Sequence, residues 1–408
     1  MADIQAHEHQ PAGAQAQSGA RDFQIQRDCL SKTRFVDLQL HEATDLAPGE
    51  LLLRISSVAL SANNITYAVL GERMRYWQFF PALSTLSDAL SWGRLPVWGF
   101  ADVIHSAHPE IAVGERIYGY LPMSTHLLVL AGRVSAKGFV DASPHRAALP
   151  AVYQQYRRCA QDQNYAPQNE ALQALLLPLL FTAFLLCDEI IARIPAGKST
   201  VILTSASSKT ALATAFLLQA LRPEACEVIA LTSAKHLDFV RERGCFDRVL
   251  EYHDVESLAP DQSAIAVDFS GNVALMARIH QHCRGLQHSL RIGVTHWHEA
   301  AGMAEPKVFA VKHIGPKVFA GQHIGPRPEL FFAPDYAAKR VAQWGAVEFE
   351  RRTGAAWMAM LLWAQNWLKV RTDCGEEAIA DAYLAALNGV SPADVGQMLA
   401  FKTWQDSN

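Results

Sequence analysis

The chain has 408 residues, half of them hydrophobic and 19% charged, with a formal net charge of -4 and a pI near 6.5. That is the composition of an ordinary folded chain of roughly two or three domains, and it offers no bulk charge for nucleic acid or an anionic membrane. Seven cysteines are scattered without a CxxC pair, which suits structural thiols in a reducing, cytoplasmic setting.

Residues 1–22 are rich in Ala, Gln and His and lack the basic start and apolar core of a signal peptide, so a disordered tail is expected. From Phe23 to Leu149 short apolar runs alternate with Gly, Pro and Asp clusters, the pattern of an all-β core. The runs Glu50–Leu60, Pro96–Ile104 and Val113–Tyr120 are its clearest strands. Ala151 to Gln168 is polar and reads as a helix and linker. Ala171 to Cys187 is very apolar but contains Pro178 and falls short of the ~20 residues of a membrane span. It is expected to be a buried helix. Beyond it, strands at Val201–Thr204, Val228–Thr232, Arg248–Glu251, Ile265–Phe269 and Leu290–Thr295 alternate with helices at Thr210–Leu221, Lys235–Arg243 and Val273–Cys283. That alternation predicts an α/β domain with a parallel sheet. Pro306–Gly315 is duplicated at once by Pro316–Gly325; one duplication makes no solenoid, and an expanded surface loop is expected. Trp357–Leu368 spaces its tryptophans and leucines as a helix, with core packing the main reading and a partner groove the lesser one.

The junction Val201-Ile-Leu-Thr-Ser-Ala-Ser-Ser-Lys-Thr-Ala-Leu212 carries the most chemistry. A strand runs through a tight polar turn into a helix, where backbone N–H groups can hold phosphate. Serines and Lys209 stand where glycines usually make such a turn, and their hydroxyls and ammonium could donate to phosphate instead. A decayed turn that binds no nucleotide is the competing reading. After the next strand comes Thr232-Ser-Ala-Lys-His236, with no acid to bind a ribose 2′-hydroxyl. Ser233 and Lys235 could hold a 2′-phosphate, which favours NADPH over NADH. Gly197-Lys-Ser-Thr200 is not a Walker A loop, because Ala192 occupies the place of the first glycine and the run precedes its strand. His280, His282 and Cys283, with His296 and His298, lack the spacing of a closed metal site.

The order of these segments resembles the medium-chain dehydrogenase/reductase superfamily, on its quinone-oxidoreductase-like branch. The likeness rests on Leu51–Tyr67, on Trp98–Ile104 with Val113–Tyr120, on Leu177–Ala183, and on the Ser205 junction with Leu237–Cys245. Tyr76-Trp77, Ser205–Thr210 and Glu329–Pro334 resemble more narrowly an uncharacterised, mainly bacterial branch. The resemblance implies a GroES-like β domain over 23–170, a Rossmann doubly wound parallel sheet over 171–335, and a C-terminal return to the β domain over 336–408. It implies that Ser205, Ser208 and Ala211 match the A-x-x-G-x-x-G turn and that Lys209 and Thr210 open its helix. Asp268-Phe-Ser-Gly-Asn272 ends a strand on the crevice side, where Ser270 could approach the nicotinamide ribose, with a plain loop as the equal alternative. Zinc-dependent relatives carry Gly-His-Glu where Trp98-Gly99-Phe100 stands, so no metal is expected. Asn64 and Tyr67 stand near the residues that line the cleft, with a turn Asn and a core Tyr as the competing assignment; Tyr76 and Trp77 would wall the pocket. The implied function is a zinc-independent, NADPH-dependent reductase of an enone, quinone or other carbonyl, acting on a small molecule as a homodimer. A non-catalytic scaffold, or a lyase or hydrolase using the same cleft, are the alternatives.

Overall fold

The computed structural model describes residues 19–39, 43–82, 89–292 and 324–401. Most of the duplicated segment, together with His296 and His298, lies outside them. The first half is built on strands β1 (Arg21–Gln26), β2 (Cys29–Asp37), β3 (Glu50–Leu60), β4 (Trp92–Gly93), β5 (Pro96–Ser106), β6 (Arg116–Pro122), β7 (His126–Gly132), β8 (Gly138–Asp141) and β9 (Gln155–Arg158). Strand β3 buries Leu51, Leu52 and Leu53 in succession, and then Ile55, so both of its faces are covered at this end. It pairs antiparallel with both β5 and β7, so the sheet closes on itself as a barrel. The segment 151–168, expected to be a helix, is short 3-10 turns around β9. Tyr156 explains why: it alternates with exposed neighbours and lies buried in the barrel.

The second half is a six-stranded sheet in the order β12-β11-β10-β13-β14-β15, every pair parallel. Its strands are β10 (Ser199–Leu203), β11 (Cys226–Thr232), β12 (Arg248–Glu251), β13 (Ser263–Asp268), β14 (Leu286–Arg291) and β15 (Glu329–Leu330). With α3 (Lys209–Leu221), α4 (Leu237–Glu242) and α5 (Val273–His282) between them, this is the doubly wound arrangement, with its switch point between β10 and β13.

Helix α2 (Glu170–Arg193) joins the halves. It has 24 residues and runs through Pro178, so by length and apolarity it could cross a membrane, contrary to the shorter run read from sequence. Here it is a core helix, packed between barrel residues such as Phe100 and Tyr118 and the sheet residues Val201 and Leu203. The C-terminal return comes later than residue 336. Helices Ala333–Trp344 and Ala346–Ala364 pack on α2, burying Trp357, Met360, Leu361 and Ala364. Among the described residues, β16 (Lys369–Cys374), the helix Glu376–Leu387 and β17 (Val395–Ala400) return to the barrel, with Ile379 and Tyr383 entering its core and β17 pairing with β3.

Candidate active site

The strands of the parallel sheet end together at the switch point. Thr204 Oγ1 donates to Asp268 Oδ1 at 2.8 Å, tying the end of β10 to the end of β13. The same oxygen accepts from Ser270 Oγ at 2.7 Å and from Gly271 N at 3.0 Å. Ser270, expected near a ribose, is thus fully buried and turned into the floor of the crevice. The Asx-type turn after β13 needs a hydroxyl there, and that use takes it away from a ligand.

Above this floor lies the serine turn. Ser205 has φ +47°, a left-handed conformation that costs a side-chain-bearing residue on the order of 1 kcal/mol. Glycine is absent, yet its backbone conformation is kept. The strained turn is held by Ser208 N donating to Ser205 O at 2.8 Å and Ala206 N to Leu231 O at 3.1 Å. Ser208 is the N-cap of α3, its Oγ accepting from Ala211 N at 3.3 Å; its own O–H stays able to donate. The N–H groups of Lys209 and Thr210 belong to the first helical turn, which has no intrahelical acceptor for them. The Lys209 ammonium does not reach over the turn as expected. Its Nζ donates to Ala393 O at 3.2 Å, beneath the loop before β17, and burial lowers its pKa to about 8 against the pull of Asp394.

At the end of β11, Thr232 is fully buried and its Oγ1 has no hydrogen-bond partner among the described residues. Ser233 is half-buried and Lys235 exposed just beyond it. An orphaned hydroxyl of this kind beside an accessible Ser and Lys is what a ribose or phosphate oxygen would satisfy. His280 and His282 are occupied instead, against Ser289 Oγ, Ile324 O and Leu258 O. Among the described residues no group of three His, Cys, Asp or Glu side chains is arranged to hold a metal ion.

The barrel contributes an aromatic face. On β5 and β6 the paired positions Trp98–Tyr120 and Phe100–Tyr118 share one side. Helix α1 (Ala62–Val69) brings Tyr67 against it, 4.4 Å centroid to centroid from Tyr76 and 5.8 Å from Tyr120. Asn63 Nδ2 donates to the Tyr67 hydroxyl at 2.7 Å. Burial drives the Tyr67, Tyr76 and Tyr120 phenols well above their ordinary range, so all three are neutral donors. Trp98 Nε1 approaches the Tyr67 oxygen without closing a hydrogen bond, and the Tyr118 and Tyr120 hydroxyls are buried without a partner among the described residues.

Two of the expected residues play other parts. Asn64 is buried and caps α1: its Oδ1 accepts from Ser61 N at 2.8 Å, and its Nδ2 donates to Pro96 O at 3.1 Å. Its side chain, at the third position of α1 rather than in a turn, anchors the helix to the barrel. Trp77 is buried between Gly71 and Gly93. Tyr67 and Tyr76 do come together. Trp98, Tyr120, Tyr153 and Thr232 were not singled out from sequence, although the two-residue spacing of Trp98 with Phe100 and of Tyr118 with Tyr120 marks a shared face. Between Trp98, Asn63 and Asn64 and the α2 residues Ala174 and Pro178 is a cavity of about 10 Å³, room for one water at most. Pro178 has no N–H for the Ala174 carbonyl, so that wall carries an acceptor with no helical donor. A larger cavity of about 270 Å³ lies at the opposite, N-terminal ends of the strands, between Lys198, Arg248 and Gln262, away from the switch-point crevice.

Solved structures share this architecture. CurA from Vibrio vulnificus, crystallised with NADPH, aligns with a TM-score of 0.59 at 14% identity, over 94% of this chain and 100% of CurA. The quinone oxidoreductase from Coxiella burnetii aligns at 0.55 and 10% identity, over 94% and 99% of the two chains. The CurK enoyl reductase aligns at 0.51 and 13% identity, over 94% and 100%. The fold is that of the medium-chain dehydrogenase/reductase superfamily, a GroES-like barrel followed by a Rossmann sheet. No curated protein matches the sequence. Residues 58–391 match the family described as "Protein of unknown function (DUF2855)", and the chain belongs to that family.

Proposed function

We propose that this chain is a zinc-independent, NADPH-dependent reductase of an enone, quinone or other small carbonyl compound. The observation that supports it most is the switch-point crevice, where a strained serine turn, an open helix N-terminus and the orphaned Thr232 hydroxyl converge. Such a crevice is where a doubly wound sheet binds its ligand. The Lys209 and Thr210 N–H groups and the Ser208 hydroxyl would hold the pyrophosphate. Ser233, Lys235 and Thr232 would take the phosphorylated ribose. Bound there, NADPH would supply a hydride. On the barrel side, the neutral Tyr67 phenol and the Trp98 N–H would donate to the carbonyl oxygen, stabilising the charge it develops. The NADPH bound in CurA is consistent with this reading. Seven free cysteines agree with a reducing, cytoplasmic compartment, and β15, the edge strand among the described residues, with Leu330 exposed, offers a face for a homodimer.

Replacing Lys235 by Glu tests the cofactor assignment. A phosphate contact is charge-assisted, so NADPH affinity should fall by about tenfold or more while NADH affinity holds or rises. Equal NADPH affinity in wild type and K235E would sink the assignment. The cavity of about 10 Å³ favours one second reading, a scaffold that keeps the fold without turnover. Absence of NADPH consumption across a panel of enones and quinones, with binding intact, would select it.

A further inference from the structure

Tyr153 sits at the mouth of the aromatic face, on a 3-10 turn that follows Pro150. Its ring is ringed by five others, with centroids 4.8 Å away for Tyr120, 5.5 Å for Phe79, 5.9 Å for Tyr76, 6.2 Å for Trp98 and 6.3 Å for Tyr67. All five contacts are edge-on or tilted, the arrangement that attracts one aromatic ring to another. Its hydroxyl meets those of Tyr67 and Tyr76. Tyr67, Tyr76, Phe79 and Tyr120 are buried, whereas Tyr153 is half-buried and arrives from outside the barrel strands. Gln154 pins the turn next to it, with Nε2 donating to Arg146 O at 2.8 Å and to Leu149 O at 2.7 Å. The ring of Tyr153 can therefore leave the box while its backbone stays anchored.

A box closed by a phenol is shaped for a phenol. It also keeps buried donors, Trp98 Nε1 and the Tyr120 hydroxyl, that Tyr153 leaves without an acceptor; a second oxygen on a bound ring would satisfy them. We infer that Tyr153 is the specificity-determining residue of this site: its side chain fills the place of the substrate ring, and the site takes a single six-membered ring bearing oxygen, a phenol or quinone, which displaces it. The inference rests on the reductase reading only for calling that ring a substrate.

The test is phenol binding to Tyr153→Ala, followed by calorimetry and thermal melting without any cofactor. An engineered apolar cavity of roughly 150 Å³ takes up benzene, and the vacated box adds polar partners. Y153A should melt several degrees below wild type, recover most of that loss in millimolar phenol, and bind phenol about tenfold or more tighter than wild type does. Benzene should restore less than phenol. If folded Y153A binds phenol no better than wild type, the inference is overturned. Should Y153A not fold, Tyr153→Val gives a smaller opening and the same two outcomes. Because the assay contains no NADPH, failure here leaves the reductase reading standing, and failure of NADPH binding leaves the ring site standing.

Discussion

Lys209 shows how far a residue's chemistry can be read from its place in the chain. Its position at the head of α3 suggested a phosphate donor, but its ammonium is withdrawn under the loop before β17 and bonded to Ala393 O. A cation there opposes the positive end of the helix dipole and is desolvated, which lowers its pKa from 10.5 to about 8. The sign follows from linkage. Below pH about 8 both states are charged and the fold disfavours the charge; between about 8 and 10.5 the folded state sheds its proton first, so stability rises with pH in that window. Lys209→Met should therefore stabilise the ligand-free protein at pH 7 by on the order of 2 kcal/mol, a gain that narrows as pH approaches 10. Denaturant midpoints across that range check it; a destabilised K209M, or a gap that widens with pH, would contradict it. Asn64 is the converse case. Its residue type suits a catalytic cleft and a helix cap equally, and only the contacts to Ser61 and Pro96 decide between them.

At the scale of elements, sequence periodicity carried most of the information. The parallel strands and their helices were legible because apolar runs of strand length alternate with helical ones. The segment 151–168 was not, because its structure depends on Tyr156 finding the barrel and on short turns that propensity does not resolve. The packing of Trp77 was equally hidden, since it needs two glycines from distant segments. A Cβ on Gly71 would lie 2.1 Å from Trp77 Nε1, and one on Gly93 would lie 2.5 Å from its Cε3. The indole is thus clamped from both sides and cannot give way. Gly71→Ala should cost about 1–3 kcal/mol, as overpacking in a filled core does. Urea titration followed by tryptophan fluorescence would read it, and an unchanged midpoint would show that the clamp is loose.

For the whole molecule, α2 is the spine that makes barrel and sheet one unit, and Arg116 fixes its start. Arg116 spans from barrel to helix, with Nε donating to Glu170 Oε1 at 2.9 Å and NH1 to Asp102 Oδ1 at 3.1 Å. The fold class was readable from the order of segments, whereas the aromatic box was not, because its rings come from α1, the turn at Tyr76, β5, β6 and the turn at Tyr153. The crevice lay between these extremes: its strand-turn-helix pattern was visible, but the left-handed Ser205 and the orphaned Thr232 needed the backbone in place. Whether that crevice holds a nucleotide decides the functional account. Calorimetric titration of the wild-type protein with NADPH and with NADH at neutral pH measures it directly. The account predicts one NADPH site per chain with micromolar affinity, about tenfold or more tighter than for NADH. No heat from either cofactor at millimolar concentration would contradict it.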